Sequence, residues 1–171
     1  PIEGKPEVVD RYRERAKKAK HHRNPTYAAM VHSLDESVGR ILAKLPDNTI
    51  VIFTSDNGGL LGPTHNAPLR SGKGFPWEGG IRVPVIVRWP GVTEPGTTSD
   101  VPVTSVDYFP TILAAARTKG PHEFPGLNLL PRLKSGEAIE RDTLFGESFA
   151  HDIADIENPQ ASLLYRWVIR G

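Results

Sequence analysis

Between Asn24 and Pro46 the apolar positions Tyr27, Met30, Val31, Leu34, Val38, Ile41, Leu42 and Leu45 recur at three- and four-residue steps, the period of one helical face. Asn24 suits a helix cap, Pro25 suits the first helical position and Pro46 closes the run. The spacing predicts an amphipathic helix with one buried stripe and a wet face on which Glu36 and Arg40 pair at i,i+4. Thr49 to Thr54 is β-branched and aromatic without polar alternation, which predicts a short strand covered on both faces, as in a parallel sheet. The helix before it then reads as a crossover. A second apolar run, Val83 to Trp89, carries Pro84 near its start, where a strand tolerates it, and ends in the turn signal Pro90-Gly91. Asp107 suits the cap of a helix whose first turn holds Pro110 and whose body is Thr111 to Ala116. Lys119 to Gly136 is punctuated by Pro and Gly as a loop, and Ser162 to Ile169 reads as a final strand, cut off near its end. Helices alternating with apolar strands indicate an α/β layer architecture.

Charge and composition then narrow the function classes. Lys5 to Arg23 holds eight basic and three acidic residues, yet the whole chain of 171 residues carries a net charge of only +1. A solvated helix face explains that concentration better than a nucleic-acid surface, which needs a basic excess elsewhere and aromatic or Gly interleaving. On a helix, adjacent His21 and His22 would point about 100° apart and chelate poorly. No apolar run approaches the ~20 residues of a membrane helix. With no cysteine, disulfides, thiolate metal sites and cysteine nucleophiles are excluded within these residues. Gly and Pro, 16 of each, are well above the usual share.

The unusual chemistry lies in Ser55 to Pro84, directly after the apolar strand, where open parallel sheets bind ligands. Asp56 and Asn57, followed by Gly58-Gly59, offer hard oxygen ligands suited to Ca²⁺ or Mg²⁺. From the dipeptide alone an Asx-type turn is the plainer explanation, and two ligands cannot fill a shell of six or more. Lys73 stands between Gly72 and Gly74, which leaves backbone N–H groups accessible and an ammonium free to reach an anion. This is no Walker loop, since position 67 is Ala and Gly follows the lysine; nor is it a dinucleotide fingerprint, since position 77 is Trp. Beside the Asp-Asn pair it suggests one site for a divalent cation and an oxyanion together.

Ordered blocks of the chain resemble the later part of the catalytic domain of type I sulfatases, in the alkaline-phosphatase-like superfamily. They are Tyr27-Ala28-Ala29-Met30-Val31 with Leu34-Asp35 and Val38-Gly39-Arg40; Val51 to Gly59; Pro68 to Gly74; Glu78 to Pro84; Trp89-Pro90-Gly91; and Val106 to Thr111. The resemblance runs from Asn24 to about Pro131. It implies an α/β sandwich with a mostly parallel central sheet flanked by helices, present only in part. Residues 1–136 would be the C-terminal portion of the catalytic domain and 137–171 the truncated start of the C-terminal subdomain. The implied parent hydrolyses sulfate monoesters, of a small molecule or a glycan, to alcohol or phenol and inorganic sulfate. Its setting is periplasmic, secreted or lysosomal.

By the same resemblance, Asp56 and Asn57 match ligands of a divalent cation, usually Ca²⁺. Lys73 matches the catalytic lysine that contacts the sulfate and the bridging ester oxygen. His65, between them, is a candidate for the leaving-group side of the substrate. Arg70, Glu78 and Arg82 are expected to hold the loop through hydrogen bonds and ion pairs, and His151 is a candidate border of the pocket. The family nucleophile is formylglycine, made from Cys or Ser in a C/S-x-P-x-R motif. This chain has no Cys, and none of its nine Ser has Pro two positions on. The nucleophile is therefore expected outside these residues, and the 171 residues alone are expected to be inactive, as a fragment. A phosphonate monoester hydrolase or phosphodiesterase of the same superfamily, and a non-catalytic sulfatase-like module, are the alternatives.

Overall fold

Two helices form before any strand, and their contact shows how this sequence packs. In the computed structural model, which describes residues 2–120, 122–150, 152 and 154–170, α1 spans Pro6–Lys18 and α2 spans Pro25–Leu42. Pro6 opens α1 where its missing N–H costs nothing, and basic Arg15, Lys17 and Lys18 sit in its last turn against the negative end of the helix dipole. Asn24 caps α2, its Oδ1 accepting the Tyr27 N–H at 3.0 Å. The helices meet over Val8, Val9 and the fully buried Ala29, with Tyr12 packed alongside. Polar groups close the seam. Tyr12 shares a 3.1 Å hydrogen bond with His32 Nδ1, and Glu36 takes Lys5 and His32, each at 3.3 Å. The hydrogen bond from Lys5 is the chief reason the Glu36 carboxyl lies below its usual pKa.

This seam corrects two expectations about α2. Glu36 pairs with Lys5 and His32 rather than Arg40, whose guanidinium donates to Ser37 at 3.1 Å, because α1 brings a cation within reach of Glu36. The apolar stripe is not buried either: Leu34 is 54% and Ile41 59% exposed, and Ala29 is the only buried residue of the helix. The reason is positional. α1 lies along Ala29, His32 and Glu36, beside the stripe and not over it. His21 and His22 fall beyond the end of α1, so neither is on a helix.

Contacts divide the chain into two units, Pro1–Val87 and Arg88–Gly171. In the first, β1 (Val51–Thr54) pairs with β2 (Val85–Arg88), and the one-turn helix α3 (Glu78–Ile81) lies between them in sequence. Both strands are shorter than their apolar runs. β1 is only partly covered, with Phe53 38% exposed, which corrects the expectation of a strand buried on both faces.

The second unit is built on a buried ion pair and a hairpin. A short 3₁₀ turn, Ser105–Asp107, leads into α4 (Tyr108–Ala115). Asp107 sits at the expected cap position but does not cap α4. Its fully buried carboxylate accepts from the Thr104 and Leu127 N–H groups at 2.8 Å each and takes both guanidinium nitrogens of Arg141 at 2.6 Å. Burial pushes the carboxyl pKa up, but the Arg141 hydrogen bonds and the two backbone donors outweigh it, so the net shift is downward. The expected loop 119–136 contains α5 (Leu130–Ser135), which Gly136 ends at φ 72°. β3 (Thr143–Phe149) pairs antiparallel with β4 (Leu163–Arg170), with Thr143 opposite Arg170 and a register shift at Ser148/Phe149. β4 matches the predicted final strand; β3 did not stand out in the sequence.

Candidate functional site

The segment after β1 is held by glycines that allow backbone to meet backbone. A Cβ on Gly58 would collide with the Gly79 carbonyl oxygen; one on Gly80 would strike the carbonyls of Phe75 and Gly72. Through these openings Gly58 N–H donates to the Gly80 carbonyl at 2.8 Å, and Gly79 N–H donates to the Arg70 carbonyl at 2.8 Å. The chain from Asp56 to Gly80 thus folds back on itself, bringing Gly58 against Gly80 and Arg70 against Gly79.

Asp56 and Asn57 sit at the start of this knot. Asp56 is exposed and Asn57 half-buried. Asp56 Oδ1 accepts the Asn57 N–H at 3.0 Å, and Asn57 Nδ2 donates to the Gly58 carbonyl at 3.1 Å. Ser55 Oγ donates to the Asn57 carbonyl at 2.9 Å. Asp56 Oδ2 and Asn57 Oδ1 make no hydrogen bond among the described residues, which leaves one carboxylate and one amide oxygen for a hard cation. Among the described residues no three His, Asp or Glu form a group that could hold a metal, so the pair fits as part of a larger shell.

Lys73 is reached across the knot. Its backbone N–H donates to the Gly59 carbonyl at 3.1 Å, two residues after Asn57, while its exposed ammonium makes no ion pair among the described residues. A backbone hydrogen bond thus links the Asp56-Asn57 segment to Lys73. Arg70 stacks its guanidinium 3.7 Å from the Trp77 ring centroid in place of the expected hydrogen bond or ion pair, while Arg82 pairs with Glu78 at 3.3 Å as expected. The Arg82–Glu78 pair is solvent-exposed and contributes little.

His65 is exposed and caught in a cluster. Its Nδ1 accepts the Ala67 N–H at 3.1 Å, which leaves the ring proton of the neutral form on Nε2. His21 stacks on it with ring centroids 4.7 Å apart, and His22 meets it edge-on at 6.2 Å while sharing a 3.1 Å hydrogen bond with Thr64. His151 lies outside the described residues.

Sequence reasoning missed Asn66. Its Oδ1 accepts the Gly59 N–H at 3.1 Å, and its Nδ2 donates to the carbonyls of Gly59 at 2.9 Å and Ser71 at 3.0 Å. The available signal was an amide, able to donate and accept at once, midway between two Gly-bearing segments. The meeting of His21 and His22 with His65 had no local signal, since it spans more than 40 residues.

The family enters on this geometry. The sulfatase sequence profile matches residues 3–118, and the chain belongs to the sulfatase family. It is 38% identical over 166 residues to a protein named Sulfatase from Formosa agariphila, covering 85% of this chain and 30% of that one. Among solved structures it is similar to Ps i-CgsB, crystallised with k-i-k-neocarrahexaose, with TM-score 0.75 and 33% identity over 86% of this chain and 34% of that one. It is also similar to BT4656, solved in complex with its substrate D-glucosamine-2-N,6-O-disulfate, with TM-score 0.63 and 31% identity over 74% of this chain and 26% of that one. The chain spans about a third or less of these proteins. Its fold is the α/β, alkaline-phosphatase-like one expected from sequence, present in part. No described helix is long and apolar enough to cross a membrane.

Proposed function

We propose that the full-length protein hydrolyses sulfate monoesters, giving an alcohol or phenol and inorganic sulfate, and that Asp56, Asn57 and Lys73 belong to its active site. The carrying observation is the hydrogen bond from Lys73 N–H to the Gly59 carbonyl, which ties the lysine to the cation-ligand segment. Sulfuryl transfer, like phosphoryl transfer, depends mainly on positioning and on positive charge around an oxyanion.

Asp56 Oδ2 and Asn57 Oδ1 are the ligand oxygens this chain would contribute to a bound Ca²⁺ or Mg²⁺. Such a cation supplies charge that neutralises the sulfate oxygens. The Lys73 ammonium, a compact charge on a flexible stem, stabilises the oxygen of the departing alcohol as its bond to sulfur breaks. The glycine contacts hold the intervening backbone in close approach, which supports a site shared by both charges. His65 borders the leaving-group side. The residues of this chain do not fit a formylglycine, for want of a Cys or a Ser with Pro two positions on, so the nucleophile is assigned to none of them. Residues 1–136 belong to the catalytic domain and 137–171 begin the C-terminal subdomain; alone, these 171 residues do not turn over. A sulfated glycan is the favoured substrate class, since a sulfated sugar is the substrate named for BT4656.

The test is sulfate release by the full-length protein from a sulfated glycan and an aryl sulfate, beside hydrolysis of an aryl phosphodiester and a phosphonate monoester. Sulfate release is expected to dominate. Preference for the phosphodiester or phosphonate would replace this reading with that of a phosphorus-ester hydrolase, and no turnover of any ester would indicate a non-catalytic module.

A further inference from the structure

Lys73 is useful only if its ammonium meets the ester that the cation ligands would hold, and one side chain bonds the backbone on both sides of that gap. The Asn66 amide pairs with both polar groups of the Gly59 backbone, at 3.1 and 2.9 Å, as a neighbouring strand would. Its second N–H reaches the Ser71 carbonyl at 3.0 Å, two residues before the lysine. The Gly59 carbonyl that Asn66 orients is the same oxygen that receives the Lys73 N–H at 3.1 Å. Packing leaves little slack: a Cβ on Gly59 would lie 2.6 Å from Asn66 Oδ1, and one on Gly72 would lie 2.7 Å from Asn66 Nδ2. Ser71 is held at φ 66°, a left-handed conformation that a non-glycine residue adopts only when its surroundings impose it.

We infer that Asn66 is the positioning residue that sets Lys73 against the Asp56-Asn57 segment, acting on the reaction through the lysine and not by touching substrate. The inference rests on the proposed sulfatase function. Only a side chain that accepts on one end and donates twice on the other fits. Aspartate would set a carboxylate oxygen against the carbonyls of Gly59 and Ser71, and alanine would leave the Gly59 N–H and the Ser71 carbonyl without their partner.

Two measurements test it. In the full-length protein, Asn66→Ala and Asn66→Asp are expected to lower kcat about 100-fold, the usual effect of a misplacement near 1 Å, with KM little changed. The loss should be larger for alkyl than for aryl sulfates, because the lysine serves the poorer leaving group most. Asn66→Ala combined with Lys73→Ala should be no slower than Lys73→Ala alone. Multiplied losses in the double variant would overturn the inference, as would a loss independent of the leaving group. The second measurement needs no turnover: amide hydrogen exchange at Lys73 should accelerate in Asn66→Ala while Val51–Thr54 stays protected. Unchanged protection at Lys73 overturns the inference. A wild-type protein that hydrolyses no sulfate ester counts against the proposed function instead, and hydrogen exchange then still decides whether Asn66 holds the lysine segment.

Discussion

Replacing Arg141 with Leu removes one side of an ion pair whose partner, Asp107, has no exposure at all. Asp107 accepts four hydrogen bonds, two of them from the guanidinium at 2.6 Å, and the Arg141 side chain is itself only 9% exposed. In the variant the carboxylate keeps the Thr104 and Leu127 N–H groups and loses its counter-charge. Removing one partner of such a pair costs about 3–5 kcal/mol, a large part of the ~5–15 kcal/mol that stabilises a typical protein. The pH dependence follows from the lowered carboxyl pKa of Asp107. A carboxyl depressed in the folded state stabilises above its unfolded pKa, near 4, and that stabilisation is lost as pH falls through the folded value. With Arg141 gone the carboxyl loses the largest influence that lowers its pKa, so the variant has less of this stabilisation to lose in acid. Urea denaturation at pH 7 and pH 3.5 should therefore show a gap of about 3–5 kcal/mol that narrows in acid. Asp107→Asn with Arg141→Leu should recover much of the loss. A pH 7 gap under about 1 kcal/mol, within the range of an exposed pair, would refute the reasoning.

Gly58→Ala should disrupt the knot, because its methyl would meet the Gly79 carbonyl oxygen; a loss above about 2 kcal/mol in urea denaturation is expected, and one below ~0.5 would show that the loop relaxes cheaply. Asp56→Ala should weaken Ca²⁺ binding by the full-length protein by tenfold or more in calorimetry, since it removes the only carboxylate of the pair; unchanged affinity would deny Asp56 a ligand role.

How far the sequence could be read depended on the range of the interaction. α2 was legible because its cap, its leading proline and its period all lie within one segment. α5 was hidden by the Pro and Gly that in fact mark its ends, Pro131 in the first turn and Gly136 after the last. The apolar stripe of α2 correctly announced a helix but not its cover, since periodicity tells which face is apolar and not what lies against it. At the candidate site, Asp56, Asn57 and Lys73 stood out through adjacent glycines, of which Gly58 and Gly72 allow close backbone approach and Gly74 takes φ 87°. Asn66, the histidine cluster and Arg141 escaped notice because each acts through a partner that local pattern does not reveal: a backbone amide, a ring more than 40 residues away, and a carboxylate 34 residues earlier.

The central claim is that Lys73 and the cation-ligand pair act on one sulfate ester. It is tested most directly by sulfate release from the full-length protein, wild type against Lys73→Ala, at saturating Ca²⁺ and substrate. The expected result is a fall in kcat of about 10²–10³-fold, the usual effect of removing a group that stabilises charge in the transition state. A kcat equal to wild type would contradict the role of Lys73 and with it the claim.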